Sequence, residues 1–347
     1  MASGVAADRV QRPDLAKHDS SVLDLAFVMD CTSSMGSYIN QARDNIRTIV
    51  EQIVAKETSD VRLALVEYRD HPPQDQTFVT RPHDFTGSVS TMKGWLENCS
   101  AKGGGDRPEA VADGLHDLLK LSWRDKSTKI CVFIADAPPH GLSRSGDSFP
   151  NGCPASIDPM VVTRQLAEKG VTIYMVGCEP SISPYKDFFT AVAYLTGGQY
   201  VPLRGAHLLT QVIIGGAQEE LSLDQWIADV EAEVVQELRE HGGDLDDDAE
   251  ERVSRSVHAK LKSKGANVRQ LHLNKAALKE APLSAQHLSK CEDMSAVQSL
   301  FKPAAAAPAL SLGRGSTPDV YSTEEREIEL EQAKRMVKKS VWRNKAK

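Results

Sequence analysis

The stretch from Leu23 to Gly36 constrains the fold most, because it joins an apolar run to a polar loop and then to a helical pattern. Asp30, Thr32 and Ser34 occupy alternate positions after the apolar run, which predicts a carboxylate and two hydroxyls on one short loop at the end of a strand. Open α/β sheets place ligands at loops of this kind. An all-oxygen set with few charges suits a hard cation such as Mg²⁺, which keeps part of its water shell.

Apolar runs that predict strands alternate with helical patterns up to residue 220. Strands are predicted at 22–29, 61–68, 77–80, 129–135, 171–176 and 199–203, with the third antiparallel to the others. The helices are predicted from apolar residues spaced three or four apart, as in the stripe from Met35 to Ile53. This order predicts an α/β fold with a doubly wound, Rossmann-like and mostly parallel sheet that has one antiparallel edge strand. Since parallel strands share an end, their following loops emerge on one face.

Two further polar segments should meet the Asp30 loop on that face. A glycine triplet precedes Asp106, and glycine lets the main chain approach another group closely. Asp136 closes the strand predicted at 129–135; a lone Asp there is usually a turn or cap residue, and only the combination favours a ligand. Asp106 has three interpretations: a direct ligand, a ligand through water, or the N-cap of the helix that it opens, with Glu109 completing a capping box.

These three motifs, in this order against these strands, resemble the von Willebrand factor A domain and its metal-ion-dependent adhesion site (MIDAS). That family carries Asp-x-Ser-x-Ser after the first strand, a Thr at the end of a later glycine-rich loop, and an Asp closing the fourth strand. Here those positions read Asp30-x-Thr32-x-Ser34, Asp106 and Asp136. The motif texts look most like the intracellular domains attached to some alpha-kinases of protists and fungi, although no kinase domain is legible after residue 220.

The resemblance implies a non-enzymatic module that holds Mg²⁺, with Mn²⁺ and Ca²⁺ as alternatives. Through the ion it would bind a protein partner presenting Glu or Asp, and no small-molecule substrate. The implied metal ligands are Asp30, Thr32, Ser34, Asp106 and Asp136. Both hydroxyls would bind directly and Asp30 and Asp136 mainly through water. Asp106 in place of Thr adds a carboxylate, which would hold the ion more firmly and weaken its attraction for a partner carboxylate.

Four polar residues on loops at the same face are candidates for a partner-contacting rim: Asp70, His71, His140 and Glu179. The alternative for Asp70 and His71 is a turn with a proline stop, and for His140 a local hydrogen bond. Ser33, between the two alternate hydroxyls, should point away from the ion.

Composition and charge exclude several classes of function. The net charge of −7 gives no overall attraction to nucleic acid or anionic membrane. The 6 cysteines are scattered without a paired zinc spacing, which favours a reducing, cytoplasmic setting. No secretory signal is visible at the amino terminus, and no apolar run approaches the ~18 residues of a membrane span.

The chain after residue 220 is predicted to be mainly helical. The predicted organisation is a flexible amino terminus at 1–20, the von Willebrand factor A domain at 21–220, a helical region at 221–300, a linker at 301–320 and a basic amphipathic helix at 321–347. The apolar stripe from Leu223 to Leu238 should pack on the sheet domain. The acidic run 244–251 predicts a solvated hinge or a first helical turn, and 267–273 a strand or a turn. Ser322 and Glu325 form a predicted capping box.

Three alternatives stay open from the residues alone. In the first, the metal site is only structural and the helical carboxyl region acts as an adaptor or assembly arm. In the second, the site hydrolyses a phosphoester, against which Thr32 removes the Asp-x-Asp pair of phosphatases with an aspartyl nucleophile. In the third, the basic carboxyl-terminal helix binds a partner, nucleic acid or anionic lipid, instead of being a solvated helix end.

Overall fold

The computed structural model describes residues 19–57, 60–143, 145–304 and 318–344. The first 18 residues of the predicted flexible amino terminus, and 305–317 of the predicted linker, lie outside that part of the chain. Within it, no helix combines the length and the apolar character needed to cross a membrane.

A six-stranded sheet forms the centre of the described structure. Its strands are β1 (Asp19–Asp30), β2 (Asp60–Tyr68), β3 (Thr80–Thr86), β4 (Ser127–Ala135), β5 (Val171–Cys178) and β6 (Gln199–Leu203). The spatial order is β3-β2-β1-β4-β5-β6, and β3 alone pairs antiparallel. The predicted mostly parallel α/β sheet with one antiparallel edge strand is confirmed.

Helices cover both faces of this sheet. They are α1 (Gly36–Glu57), α2 (Val89–Asn98), α3 (Val111–Lys120), α4 (Pro159–Glu168), α5 (Lys186–Leu195) and α6 (Leu209–Asp224). Side chains alternate along a strand, so Phe27 joins the core under α1, α2 and α6 while Val28 joins the core under α3, α4 and α5. Burial of both faces explains why β1 reads as one continuous apolar run.

The carboxyl-terminal part is helical with a small antiparallel sheet of order β8-β7-β9. Its elements are α7 (Ile227–Glu240), α8 (Asp247–Ser263), β7 (Asn267–Leu273), β8 (Ala276–Ala277), α9 (Leu283–Ser289), α10 (Met294–Leu300), β9 (Tyr321–Glu327) and α11 (Leu330–Asn344). Leu288 of α9 and Val297 of α10 are buried in the same core as Phe188 of α5. These helices therefore complete one face of the large sheet.

Two predicted elements are misplaced. The third strand runs over Thr80–Thr86 instead of 77–80, because Thr77 is held in a turn by Asp75 through N–H and hydroxyl bonds of 2.7 and 2.5 Å. Pro82 lies in this strand, where only an edge position tolerates it. The predicted capping box at Ser322 is wrong, since Ser322 pairs with His272 in the ladder between β9 and β7. Pairing with a distant strand sets this segment's conformation.

The prediction that the stripe from Leu223 to Leu238 packs on the sheet is also wrong. This stripe forms a separate core with apolar residues of α8 and α11, among them Val257 and Val337. Of the two interpretations of the acidic run, the structure shows the first helical turn, which belongs to α8. Asp246 is the N-cap of this helix and accepts a hydrogen bond from the Ala249 N–H at 2.8 Å.

The basic helix α11 is not a solvated helix end. Lys339 is 5% exposed and its ammonium pairs with Glu220 and, at 2.9 Å, with Asp224 of α6. Arg335 is equally buried, with its guanidinium 3.3 Å from Glu219. Both cations are therefore used inside the chain, by carboxylates of α6.

Candidate metal centre at the carboxyl edge of the sheet

The loop after β1 gathers three oxygen-bearing side chains. One carboxylate oxygen of Asp30, Oδ1, accepts hydrogen bonds from the Thr32 N–H at 2.8 Å and the Thr32 hydroxyl at 2.6 Å. The Thr32 hydroxyl lies 3.4 Å from that of Ser34. Asp30 is fully buried, and its second oxygen, Oδ2, has no hydrogen-bond partner among the described residues. The loop is thus shaped by one oxygen of Asp30 and leaves the other free.

A cleft opens beside Ser34 and is lined by carboxylates from two further loops. Asp106 and Glu109 reach it from the loop before α3, and Asp136 reaches it from the end of β4. The structure therefore brings Ser34, Asp106 and Asp136 to one place, as the motifs predict, and adds Glu109. The remaining wall is formed by Arg107 and by prolines and small residues, including Pro138 and Pro180.

The glycine triplet is required by this close approach. Gly104 has φ of +81°, and a Cβ atom built on it would lie 2.8 Å from a carboxylate oxygen of Glu109 and 3.4 Å from the Thr32 Cβ. A larger residue would require the Glu109 carboxylate to move, and the positive φ would strain the backbone of that residue. The triplet thus seats the main chain against two members of the site.

Electrostatics in the cleft are dominated by burial and by repulsion among carboxylates. Burial, followed by the charge of Asp136, raises the pKa of Asp30 to about 8. Burial, followed by the charges of Asp30 and neighbouring acids, raises the pKa of Glu109 to about 11. Desolvation and like charges both disfavour the ionised form of an acid. The metal-free cleft therefore retains protons at neutral pH.

The cleft contains oxygen donors for a cation, and the side chain of Arg107 also lines it. Within the part of the chain that the structure describes, no lysine or arginine forms an ion pair with Asp30, Asp106, Glu109 or Asp136. Of the buried oxygens that lack a hydrogen-bond partner in that part of the chain, three belong to this cleft: Asp30 Oδ2, Asp106 Oδ1 and Glu109 Oε2. Hard oxygen donors, two hydroxyls and orphaned carboxylate oxygens fit a hard divalent cation. The residues present therefore fit Mg²⁺.

Asp106 and Ser33 each have one defined local contact. Helix α3 starts at Val111 with Ala110 as its N-cap residue and no side-chain cap, so the N-cap interpretation of Asp106 is wrong. One Asp106 oxygen instead accepts the Ser148 N–H at 2.7 Å. The exposed Ser33 hydroxyl donates to the Gly103 carbonyl at 2.9 Å, which ties the Asp30 loop to the glycine loop.

Two of the predicted rim residues are buried behind the cleft. Asp70 is fully buried and His140 is 3% exposed, and the His140 Nε2 lies 2.7 Å from an Asp70 oxygen. The other ring nitrogen, Nδ1, lies 3.0 Å from Asp147. Burial lowers the pKa of His140, but the hydrogen bonds to Asp147 and Asp70 outweigh it and raise the pKa to about 9. This network supports the loops and does not present Asp70 or His140 to a partner.

His71 is likewise buried, at 8% exposure, with its Nε2 2.9 Å from Asp113. Glu179 is the predicted rim residue that stays partly open to solvent. Its carboxylate lies 3.2 Å from the Arg204 guanidinium and 3.4 Å from the Tyr200 hydroxyl. Glu179 therefore fits a rim position, whereas Asp70, His71 and His140 do not, because they are buried.

Glu109 is the member of the cleft that the sequence pattern missed. As the third residue after Asp106 it was interpreted only as half of a capping box. In the structure its N–H donates to the Pro138 carbonyl at 2.9 Å, which links it to the loop after β4. One signal could have identified Glu109: it is a second carboxylate in a glycine-rich loop that was already expected to face Asp30.

The fold and the cleft define an α/β domain with an acidic, hydroxyl-bearing site at the carboxyl edge of its sheet. Residues 24–147 match the model of the von Willebrand factor A domain family. This part of the chain is a von Willebrand factor A domain, as the motifs predict. Such domains commonly act as protein-interaction modules and often bind a divalent metal.

Similar proteins carry the domain within much longer chains. The chain is 33% identical over 141 residues to the alpha-protein kinase vwkA of Dictyostelium discoideum, covering 40% of this chain and 22% of the kinase. It is 28% identical over 193 residues to the human von Willebrand factor A domain-containing protein 7, covering 55% of this chain and 20% of that protein. The chain thus spans about a fifth of the length of these relatives.

Among solved structures, a von Willebrand factor type A protein from Catenulispora acidiphila is similar, with 12% identity and a TM-score of 0.42. The match covers 58% of this chain and 43% of that one.

Proposed function

We propose that the cleft is a MIDAS that holds Mg²⁺ and binds the Glu or Asp side chain of a protein partner, without catalysis. The observation that supports this most is the set of buried, orphaned carboxylate oxygens of Asp30, Asp106 and Glu109 beside the hydroxyls of Thr32 and Ser34. A bound dication would supply the missing positive charge and an electrophilic position for an outside carboxylate.

The proton on Glu109 affects how attractive that position is to a partner carboxylate. Ionised Asp30, Asp106, Glu109 and Asp136 around one dication would leave two net negative charges, and protonation of Glu109 would remove one of them. Because its pKa is raised to about 11, Glu109 is neutral at physiological pH before metal binds, which lowers the negative charge of the cleft. We infer that a neutral Glu109 compensates for Asp106, the carboxylate that stands where the family carries Thr.

The carboxyl-terminal helices support the domain in this proposal instead of forming a separate arm. Helices α9 and α10 share the core under α3, α4 and α5, and α11 neutralises carboxylates of α6. Deleting residues 220–347 would therefore expose core and unpaired charge. Single substitutions in the cleft are the cleaner way to test the function.

The setting is proposed to be reducing. All six cysteines lie in the part of the chain that the structure describes, and none of them forms a disulfide. This supports the cytoplasmic expectation drawn from their spacing.

A peptide-display selection against the full chain tests the proposal. Peptides are captured in Mg²⁺ and eluted with EDTA, and Asp30→Asn is the test variant because it keeps the shape of the side chain and removes its charge. Ser33→Ala is the matched control, since the Ser33 hydroxyl bonds to Gly103 and not to the cleft. We expect eluted peptides to share an acidic residue, to bind Ser33→Ala equally, and to lose at least about tenfold in affinity for Asp30→Asn.

Peptides that bind equally in Mg²⁺ and EDTA, or equally to both variants, would overturn the proposal. Circular dichroism of Asp30→Asn shows whether a loss reflects the site or the fold.

A further inference from the structure

Three side chains that the cleft does not use converge on one point behind it. The His71 Nε2 lies 2.9 Å from an Asp113 oxygen, Oδ2, and 3.6 Å from the Cys153 sulfur. The same Asp113 oxygen lies 3.2 Å from the sulfur. His71 follows β2, Asp113 is in the first turn of α3, and Cys153 is in the loop before α4. The cluster therefore joins three separate segments.

The spacing of these donor atoms is close to that of a tetrahedral zinc site. With zinc bonds of ~2.0 Å to nitrogen or oxygen and ~2.3 Å to sulfur, donor atoms on one ion are separated by about 3.3–3.6 Å. The separation of Nε2 from the Cys153 sulfur is already in that range, and the two contacts of Asp113 are a few tenths of an ångström shorter. Small side-chain rotations would admit an ion.

A catalytic relay of Cys, His and Asp needs a different geometry. In a relay, one ring nitrogen of the histidine takes the proton of the nucleophile while the other is held by the carboxylate. Here a single nitrogen of His71 faces both Asp113 and Cys153. Convergence of all three donors on one point fits a bound cation and not proton relay.

The surroundings orient the ligands and leave a way in. The Ala155 N–H points at the Cys153 sulfur at 3.3 Å, and such a hydrogen bond stabilises a metal-bound thiolate. The Phe149 ring lies edge-on to the His71 ring at 5.9 Å and covers one side of it. Of the six cysteines, Cys153 is partly exposed and the other five are buried.

We propose that His71, Asp113 and Cys153 bind a zinc-class divalent cation, with a fourth position for water. This site is separate from the proposed MIDAS in its donors, since sulfur and imidazole suit Zn²⁺ whereas the all-oxygen cleft suits Mg²⁺. The ion would fasten the loop before α4 to the end of β2 and the start of α3. Because one cysteine and no Cys-x-x-Cys pair is involved, cysteine spacing alone does not reveal the site.

A second thiol cluster provides the matched comparison. Cys31 and Cys99 have sulfurs 2.7 Å apart beside the buried Glu67. Two thiolates on one zinc ion are separated by about 3.7 Å, so this pair would have to move apart by roughly 1 Å in a closed core. Cys99→Ser is therefore a control for the loss of a thiol elsewhere in the same domain.

Cobalt substitution tests the site in the full chain. Co²⁺ is titrated into the chain in excess Mg²⁺, and absorption from sulfur-to-cobalt charge transfer reports a bound thiolate. We expect this absorption with one equivalent of Co²⁺ in the wild type and in Cys99→Ser, and its loss in Cys153→Ser. No such absorption in the wild type, or its persistence in Cys153→Ser, would overturn the proposal. Circular dichroism checks that each variant is folded.

Alkylation of the unaltered chain gives a readout that needs no variant. Cys153 is modified by a maleimide and quantified by mass spectrometry with and without Zn²⁺, while Mg²⁺ is present throughout. We expect Zn²⁺ to slow modification of Cys153 at least tenfold, because a coordinated sulfur is not free to react. An unchanged rate would contradict the site, whether or not the MIDAS holds its own ion.

Discussion

Two clusters of carboxylates in the described part of the chain differ in how their charge is neutralised. The edge cluster consists of Asp106, Glu109 and Asp136, which line the cleft, and the buried Asp30 beside Asp136. The helix cluster consists of Glu219, Glu220 and Asp224 on α6 with Arg335 and Lys339 on α11. Asp30, Glu109 and the three acids of α6 are buried, whereas Asp106 and Asp136 are half-buried at the open cleft.

Their hydrogen bonding differs as much as their charge. In the helix cluster Asp224 accepts the Thr128 hydroxyl at 2.5 Å and Glu219 accepts the Gln332 amide at 2.9 Å. In the edge cluster Asp30, Asp106 and Glu109 each keep a buried oxygen without a partner. A buried charge is tolerated when it is paired and hydrogen-bonded. The helix cluster is therefore complete as folded, whereas the edge cluster keeps buried carboxylate oxygens without partners, which supports the proposal that it takes a cation from solution.

The largest effect is expected from breaking the helix cluster. Lys339→Met keeps most of the side-chain volume. It removes the ammonium that pairs with the buried carboxylates of Glu220 and Asp224. We expect a loss of about 3–5 kcal/mol in the free energy of unfolding, measured in urea. Lys334→Met on the same helix is the control: its pairs with Glu251 and Glu280 are partly exposed, so about 1 kcal/mol or less is expected. Equal losses in both variants would remove the distinction between the clusters.

The next effect is metal-dependent stabilisation of the edge cluster. An ion that binds only the folded chain stabilises it by about 2.7 kcal/mol at a concentration 100 times its dissociation constant. We expect saturating Mg²⁺ to raise the melting temperature of the wild type and of Lys334→Met, but not that of Asp30→Asn. If Asp30→Asn responds to Mg²⁺ as the wild type does, the edge cluster is not the site.

A smaller effect is expected in the pH dependence of the free energy of unfolding, measured without metal. The raised pKa of Glu109, about 11 against a usual 4.5, means that the folded chain keeps a proton that the unfolded chain releases. Stability is then greatest at low pH and falls as pH rises above 4.5, by up to about 1.4 kcal/mol per pH unit for this group. Asp30 acts in the same direction between 3.8 and about 8.

Glu109→Gln should flatten this dependence in EDTA, as followed by urea unfolding between about pH 5 and 6.5. His140 contributes little in that window, because its stabilising proton, with a pKa of about 9, is lost at higher pH. An equally steep fall in Glu109→Gln would show that Glu109 does not carry the buried proton.

The smallest effect is expected at the rim. Glu179→Gln removes a partly exposed ion pair with Arg204, which should change the free energy of unfolding by less than about 1 kcal/mol. It should also leave the pH dependence in EDTA unchanged, which makes it the control for Glu109→Gln. A change in slope as large as that of Glu109→Gln would place Glu179 inside the edge cluster.

Features with a local cause could be predicted from the sequence, whereas features that depend on tertiary contacts could not. The sheet and the positions of Ser34, Asp106 and Asp136 follow from apolar runs that each end in a polar loop, since parallel strands bring such loops together. The position of β9 depends on pairing with the distant β7, and the start of β3 depends on the turn in which Asp75 holds Thr77, so the apolar pattern misplaced both.

Charge was harder to predict than topology. A basic run such as that of α11 is usually solvated, and only the fold shows that Arg335 and Lys339 meet three acids of α6. Glu109 was assigned to a helix cap because its nearest sequence neighbours allow that, whereas its contacts are with the loop after β4. In both cases the partner lies in another segment, which a linear pattern does not report.

The measurement that tests the central claim most directly is anomalous diffraction from crystals of the chain grown in Mn²⁺. The edge cluster should show a single strong peak at about 2.0–2.4 Å from the Ser34 hydroxyl and within reach of Asp30 and Asp136 through bound water. The helix cluster, neutralised by Arg335 and Lys339, should show none. A cleft without a peak at saturating Mn²⁺ would contradict the claim that the edge cluster takes its cation from solution.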